Sequence, residues 1–258
     1  MKRSFVSVIG LLLFTTTVLF GQNAHFTVSG IIEYEKSVNM YGLLKKRINK
    51  ENEAIYQPLY DQYIKSQPQF KKLKSTLNFA KNRTLFFPIE DESAPGNFYN
   101  NIPMVSQNNV VFTDLQSGTT ISEKKVFEET FLVKDSTRKI SWKITNEIRE
   151  IAGFTCRRAN AIIMDSIYVV AFYTDKILVS GGPESFNGLP GMILGIALPH
   201  ENITWFATKV TDITLDDASL LPPKKGKPVN NLSLSKTLNE ATKNWGTWKL
   251  AYLKAFSL

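Results

Sequence analysis

The clearest hydrophobic period in the chain is two. Ile140, Trp142, Ile144, Asn146 and Ile148 alternate with Ser141, Lys143, Thr145, Glu147 and Arg149, which predicts a long strand with one wet face. Gly153 supplies a turn, Thr155 to Ile163 returns, and Ile167 to Thr174 follows with Tyr, Val and Phe. Met192 to Leu198 is apolar on both faces, and with Ile203 to Ile213 it predicts a hairpin turning at Pro199–Asn202. Upstream, Phe26 to Val38 reads as a strand with Ile32, Tyr34 and Val38 on one face and Glu33 and Glu35 on the other. Leu73 to Phe87 returns to strand composition and closes at Pro88. Consecutive strands with short turns between them favour an antiparallel meander.

The period changes twice. Leu44, Ile48, Ile55, Leu59 and Tyr63 recur at helical spacing between Leu43 and Ile64, and Pro58 inside that run predicts two helices or a kink. Near the C-terminus, Leu238, Ala241, Trp245, Trp248, Tyr252 and Phe256 fall on one stripe, with Thr237 and Glu240 placed as a capping box. Residues 220–231, with three prolines and a lysine cluster, read as an exposed linker to that helix. Residues 90–107, rich in Asn, Pro, Gly and Ser, read as a flexible loop. A single β-rich domain over 22–258 accommodates all of these elements.

The first 21 residues have the layout of a secretory signal peptide. Lys2 and Arg3 precede an apolar run from Phe5 to Phe20, and Gly21 offers a small residue before a cut at Gln22. No Cys follows the run, so a lipoprotein anchor is not expected, and no later segment is apolar enough to span a bilayer. Without Lys2 and Arg3 the 31 basic residues fall to 29 against 23 acidic ones, a net charge of +6. No basic stripe with interleaved aromatics marks a nucleic-acid footprint, so the excess reads as a solvated surface. Cys156 is the single cysteine, which rules out an internal disulfide and leaves stability to a hydrophobic core. With 43% hydrophobic residues the chain can bury a large one.

The most distinctive local sequence is Gly188-Leu189-Pro190-Gly191-Met192-Ile193, preceded by Gly181-Gly182-Pro183. Pro190 presets φ for the second position of a turn, and Gly191 can take the positive φ that a type II turn needs next. This segment resembles the signature of the GLPGLI family of exported Bacteroidetes proteins, with Met in place of one Leu. Gly153-x-x-Cys156-x-x-Ala159 and Ala171-Phe172-Tyr173-Thr174 resemble two further segments of that family, in the same order. The resemblance covers about a quarter of the chain. It implies an exported protein of the periplasm or outer-membrane periphery and supplies no catalytic residue to carry over. An antiparallel sheet flanked by helices with an apolar late loop is also similar to the half-barrels of periplasmic lipoprotein carriers, which curve around a hydrophobic cavity. The expected fold is therefore mainly β (α+β). It is a curved antiparallel sheet, half-barrel-like, with a helical N-terminal insertion and a C-terminal amphipathic helix.

Candidate chemistry is sparse. Nucleophilic catalysis of the Ser-His or Cys-His kind needs a histidine, and the chain has only His25 and His200, the latter in a predicted turn. Cys156, entering a strand after a turn, reads as a small buried hydrophobe. Cleavage after Gln22 would give an Asn23-Ala24-His25 terminus able to wrap copper or nickel; cleavage after Gly21 removes that idea. No metal-ligand spacing, phosphate loop or cofactor motif appears elsewhere. Apolar binding is the better positive reading. Phe186, Leu189, Met192, Ile193 and Leu194 cluster around the signature turn, and Trp245 and Trp248 lie on the C-terminal stripe. These side chains either fill the core or line a pocket for an acyl chain or a hydrophobic peptide segment. The sequence thus predicts a non-enzymatic binder of an apolar ligand. Its alternative is an interaction module of an envelope transport complex with a protein partner.

Overall fold

The computed structural model describes residues 26–89, 102–106, 109–246 and 248–258, with the backbone alone at Trp248. The signal peptide, its cleavage site, His25 and most of the 90–107 segment lie outside the described residues.

Among the described residues, twelve strands form one curved sheet that does not close into a barrel. The first strand, β1 (Ser29–Asn39), lies at its centre. Its alternation matches burial: Ile32, Tyr34 and Val38 face the core, and Lys36 stands in the same inward row. On one side of β1 runs a meander of β2 (Phe70–Ala80), β3 (Arg83–Ile89), β4 (Asn109–Asp114), β5 (Thr119–Val126) and β6 (Glu129–Ser136). On the other side β11 (Ile203–Asp212) pairs with β1, followed outward by β10 (Met192–Leu198), β9 (Ile167–Thr174), β8 (Phe154–Ile163) and β7 (Lys143–Ile151). These neighbours are all antiparallel. A short strand, β12 (Lys227–Val229), adds to β6 in parallel, so residues 220–231 are more than a linker.

The run from Leu73 to Phe87 forms two strands. β2 and β3 turn at Lys81-Asn82, both at positive φ (49° and 62°), the backbone that a tight hairpin requires. The alternation at 140–149 is also corrected. β7 begins only at Lys143 and forms the sheet edge, where Ile144 and Ile148 are 43% and 62% exposed, so both faces are wet over most of its length. Its C-terminal half folds toward the neighbouring strands. Arg149 lies 4.7 Å from the Phe206 ring centroid and 5.6 Å from that of Phe172. The predicted hairpin at Pro199–Asn202 is present as a short 3-10 turn closed by Asn202 in the left-handed region.

There are four helices among the described residues. α1 (Met40–Lys45) is capped by the Asn39 side chain, which accepts from the Gly42 N–H. α2 (Glu53–Ser66) follows after a break at 46–52, and Pro58 lies inside it, so the division falls before the proline instead of at it. The C-terminal stripe is likewise split, into α3 (Asn231–Ala241) and α4 (Trp248–Ser257). Asn230 caps α3 by accepting from the Ser233 N–H, which leaves Thr237 mid-helix, its hydroxyl bonded to the Ser233 carbonyl. The predicted capping box is therefore not used. Among the described residues no helix is long and apolar enough to cross a membrane.

Two apolar clusters result. The larger joins β1–β3, β8–β11, α1 and the segment from Ile177 to Leu194. The smaller packs Val126, Phe131 and Val133 of the β5–β6 hairpin against Leu234 and Leu238 of α3 and Phe256 of α4.

Candidate functional site

The signature segment is held from within. The Ser180 hydroxyl donates to the Leu189 carbonyl, the Gly188 N–H to Ser180 O at 3.3 Å, and the Met192 N–H to Ile177 O at 3.1 Å. The Gly191 N–H donates to Leu189 O at 2.8 Å, which closes a three-residue turn around Pro190 in place of the expected type II turn. Gly191 itself has φ +137°, and a Cβ there would fall on the Thr174 carbonyl. Trp142 braces the loop from outside, its Nε1–H donating to Asn187 O at 2.9 Å.

Phe186, Leu189, Met192, Ile193 and Leu194 are all brought together by this turn, and all are buried in the larger cluster. Cys156 and Ala159 join the same cluster from β8, while Gly153 forms the β7–β8 turn with Ala152. Trp245 goes elsewhere. Its ring packs edge-on against Tyr252 at 4.9 Å and Phe127 at 5.4 Å, beside the smaller cluster. Trp248 opens α4, and its side chain lies outside the described residues.

Open space flanks α4. A cavity of about 460 Å³ lies between β5, β6, α3 and the end of α4, lined by Lys124, Val133, Arg138, Leu234, Leu238 and Phe256 among others. A second, of about 250 Å³, lies on the other flank of α4 against Leu43, Arg47 and Met104. A void of about 30 Å³ separates Phe256 and Leu258 from Lys36, Glu184 and Trp205. Leu189, Met192, Ile193 and Leu194 line none of these three, and Phe186 touches only the smallest. The signature residues are thus packed in the core, and Phe186 alone of the five borders the space beside α4.

Polar contacts fix the last turn of α4. The Lys124 ammonium donates to Phe256 O at 3.1 Å, the Arg138 guanidinium to Ser257 O at 2.5 Å, and the Ser185 hydroxyl to Leu258 O at 2.9 Å. Cations at the carbonyl end of a helix also complement its macrodipole. Lys254 pairs with Glu201 of the β10–β11 turn at 3.0 Å.

Behind these contacts sits a buried charged group. Glu184, at positive φ (53°) in the loop, is 6% exposed and accepts from Asn109 Nδ2 at 3.0 Å. Lys36 of β1 and Lys124 of β5 lie near enough to act on it electrostatically, and their residual exposures are 3% and 7%. Burial is the main cause that raises the Glu184 carboxyl above its ordinary range, opposed by the nearby lysines. Burial lowers both lysines to about 8, with Glu184 pulling the other way. The Lys36 ammonium lies 5.1 Å from the Trp205 ring centroid, and its hydrogen bond, to Val105 O, is a long 3.5 Å. Sequence periodicity assigned none of Lys36, Lys124, Arg138 and Glu184 to a site.

The remaining candidates are placed as follows. Cys156 is buried, its thiol pushed up to about 12 by burial, and Sγ lies 3.4 Å from Phe154 O. A thiol so raised holds almost no thiolate near neutral pH. His200 is exposed in the β10–β11 turn, where its carbonyl accepts from Lys46 at 2.8 Å. Among the described residues no group of three His, Cys, Asp or Glu side chains is close enough to hold a metal.

The family described as "Protein of unknown function (Porph_ging)" matches residues 162–195, from the end of β8 through the signature turn. No curated protein matches the chain in sequence. Among solved structures, PNGF-II in space group P21 superposes with a TM-score of 0.50 at 20% identity, over 81% of this chain and 33% of that one. PNGF-II in space group C2 gives 0.49 at 19%, over 81% and 32%. An uncharacterized conserved protein from Thermus thermophilus gives 0.38 at 6%, over 80% and 91%. The likeness to PNGF-II is one of fold, and the chain spans about a third of the PNGF-II chain's length.

Proposed function

We propose that this chain is a non-enzymatic, exported binder of an apolar ligand, an acyl chain or a hydrophobic peptide segment, held on the concave face of a half-barrel-like sheet. The observation that carries this reading is the seat of α4. α4 seats Phe256, and Leu258 just beyond its end, against the sheet, with cavities of about 460 and 250 Å³ on its two flanks. That is the way a helix occupies a receptor groove, and volumes of this order suit a small ligand. The resemblance of Gly153–Ile196 to the GLPGLI signature, together with the signal-like first 21 residues, supports a periplasmic or outer-membrane setting.

Native mass spectrometry of the protein purified from its own envelope, followed by organic extraction, tests the reading. A bound apolar mass is expected. A clean apo mass that stays unshifted on incubation with acyl probes overturns it.

A second reading, an interaction module, is favoured by one surface. Among the described residues the outer edge of β7 carries no neighbouring strand, and Ile148 and Ile162 beside it are both more than 60% exposed. A partner strand could add there. A register shift between Ile144 and Ile148, and charges at Lys143, Glu147 and Arg149, weaken that edge as a template.

A further inference from the structure

The face of β5 turned toward the larger cavity is polar. Thr120, Ser122 and Lys124 stand two residues apart on that strand, and all three line the cavity; Ser122 and Lys124 are themselves buried. Buried strand positions ordinarily carry apolar side chains, so a polar row there is informative. Thr137, Arg138 and Lys139, just beyond β6, line the same space of about 460 Å³. Leu234, Leu238 and Phe256 beside them are nearly fully buried in the smaller cluster, so they frame the space and offer it little surface. A guest would meet chiefly hydroxyl groups and cations.

The charge around the cavity is unbalanced. Lys124, Arg138 and Lys139 line it with a single side-chain carboxylate, Asp135. That carboxylate is already engaged at both oxygens, accepting from the N–H groups of Asn231 at 2.9 Å and Ser136 at 2.8 Å. Lys124 and Arg138 donate to successive carbonyls, Phe256 O and Ser257 O, which brings their heads to one end of α4. Each uses one donor there, out of three on the ammonium and five on the guanidinium. Arg138 works against the charge of Lys124, and burial works against the charge of both. The carbonyl end of a helix carries only about half a unit of negative charge, so the two cations outweigh it. An oxyanion between them would relieve their repulsion and take up the spare donors in charge-assisted bonds, roughly twice as strong as neutral ones.

We infer that the cavity between β5, β6, α3 and α4 binds a small hydrophilic molecule through an oxyanion group. The oxyanion lies on Lys124 and Arg138, and the hydroxyl groups of Thr120, Ser122 and Thr137 line the space for the rest of the molecule. The inference goes beyond the apolar-binder reading above and does not rest on it. A phosphate ester and a carboxylate share this chemistry, and the probes below separate them.

The test is isothermal titration of the purified protein, at fixed ionic strength, with glucose 6-phosphate, glucuronate and glucose. It uses the wild type and the Arg138→Gln and Lys124→Met variants, each checked for a cooperative melt. At least one of the two anions is expected to bind the wild type about tenfold or more tighter than glucose. Whichever anion does so names the source of the oxyanion. In either variant that ratio falls to about threefold or less, with the affinity for glucose unchanged. Should the variant at the buried Lys124 fail to fold, Arg138→Gln, at a half-buried position, decides alone. Glucose binding as tightly as both anions overturns the inference. A preference for an anion that survives in the folded variants also overturns it, since the anion then sits elsewhere. Failure of all three probes to bind overturns it as well, and none of these outcomes bears on the apolar-binder reading.

Discussion

The Lys254 ammonium lies 3.0 Å from the Glu201 carboxylate, and the two side chains retain only 15% and 11% of their exposure. One residue belongs to α4 and the other to the β10–β11 turn, so the pair fastens the C-terminal helix to the far side of the groove. Breaking a largely buried pair leaves one charge without its partner, and the penalty is larger than the attraction lost.

Lys254→Met is therefore expected to destabilise the protein by about 2–4 kcal/mol. Urea unfolding gives the size, and amide hydrogen exchange shows where it falls. Protection over 248–257 should drop before that of β1 or β10. If exchange accelerates uniformly along the chain, the pair is not a local fastening of α4. Restoring neutrality with Glu201→Gln in the same chain should recover part of the loss.

The two buried lysines give stability a pH signature. Burial lowers Lys36 and Lys124 from 10.5 to about 8. Below pH 8 the folded and unfolded chains both hold these protons, and the cost of burying the charge stands in full. Between about 8 and 10.5 the unfolded chain keeps protons the folded chain has released, so the lysines' contribution to stability rises with pH. Cys156, raised from 9.0 to about 12, acts in the opposite sense above pH 9, because the unfolded thiol ionises first. A difference measurement removes that term. Lys36→Met should be more stable than wild type by on the order of 3 kcal/mol near pH 7, and the gap should roughly halve near pH 9.5. A gap independent of pH would show that Lys36 keeps an ordinary pKa in the fold.

Two glycines of the resembling segments should respond very differently to alanine. At Gly191 the added Cβ would meet the Thr174 carbonyl and lie 3.0 Å from Asp175 Cα, at φ +137°. Gly191→Ala is expected to yield no stably folded protein, a loss above about 4 kcal/mol. Gly153, at φ +81°, has nothing within 4 Å of the added atom. Gly153→Ala then carries backbone strain alone, about 1–2 kcal/mol. Thermal melts of the two variants check this, and similar midpoints would contradict it.

Strands were legible where alternation coincides with one-sided burial. Ile32, Tyr34 and Val38 mark β1 in that way, and the doubly apolar Met192–Leu198 run marks β10, which is buried along nearly its whole length. The β2–β3 hairpin was hidden because Lys81-Asn82 takes positive φ without a glycine. At 143–151 the pattern misled, since an edge strand can alternate Ile with charged residues while water reaches both faces. The charged residues behind α4 were hidden for a related reason. Lys36 and Lys124 occupy inward positions, between Tyr34 and Val38 and between Ser122 and Val126, yet a lysine is ordinarily assigned to solvent. Arg138 and Glu184 lie in irregular segments that have no period to place them. β1, β5 and the loop of Glu184 bring three of them together, and the last carbonyls of α4 link Lys124 to Arg138.

The position of β1 has a kinetic side. Each flanking meander pairs strands that follow one another directly, and such pairing closes quickly after synthesis. The seam between β1 and β11 joins Gly30 to Asp212 across most of the chain, so its closure carries the largest entropy cost in the sheet. Two halves that assemble early and meet late leave β1 and β11 with bare edges in the meantime. During that interval the nascent molecule is open to mispairing with another copy, and the groove has no floor until the seam is shut.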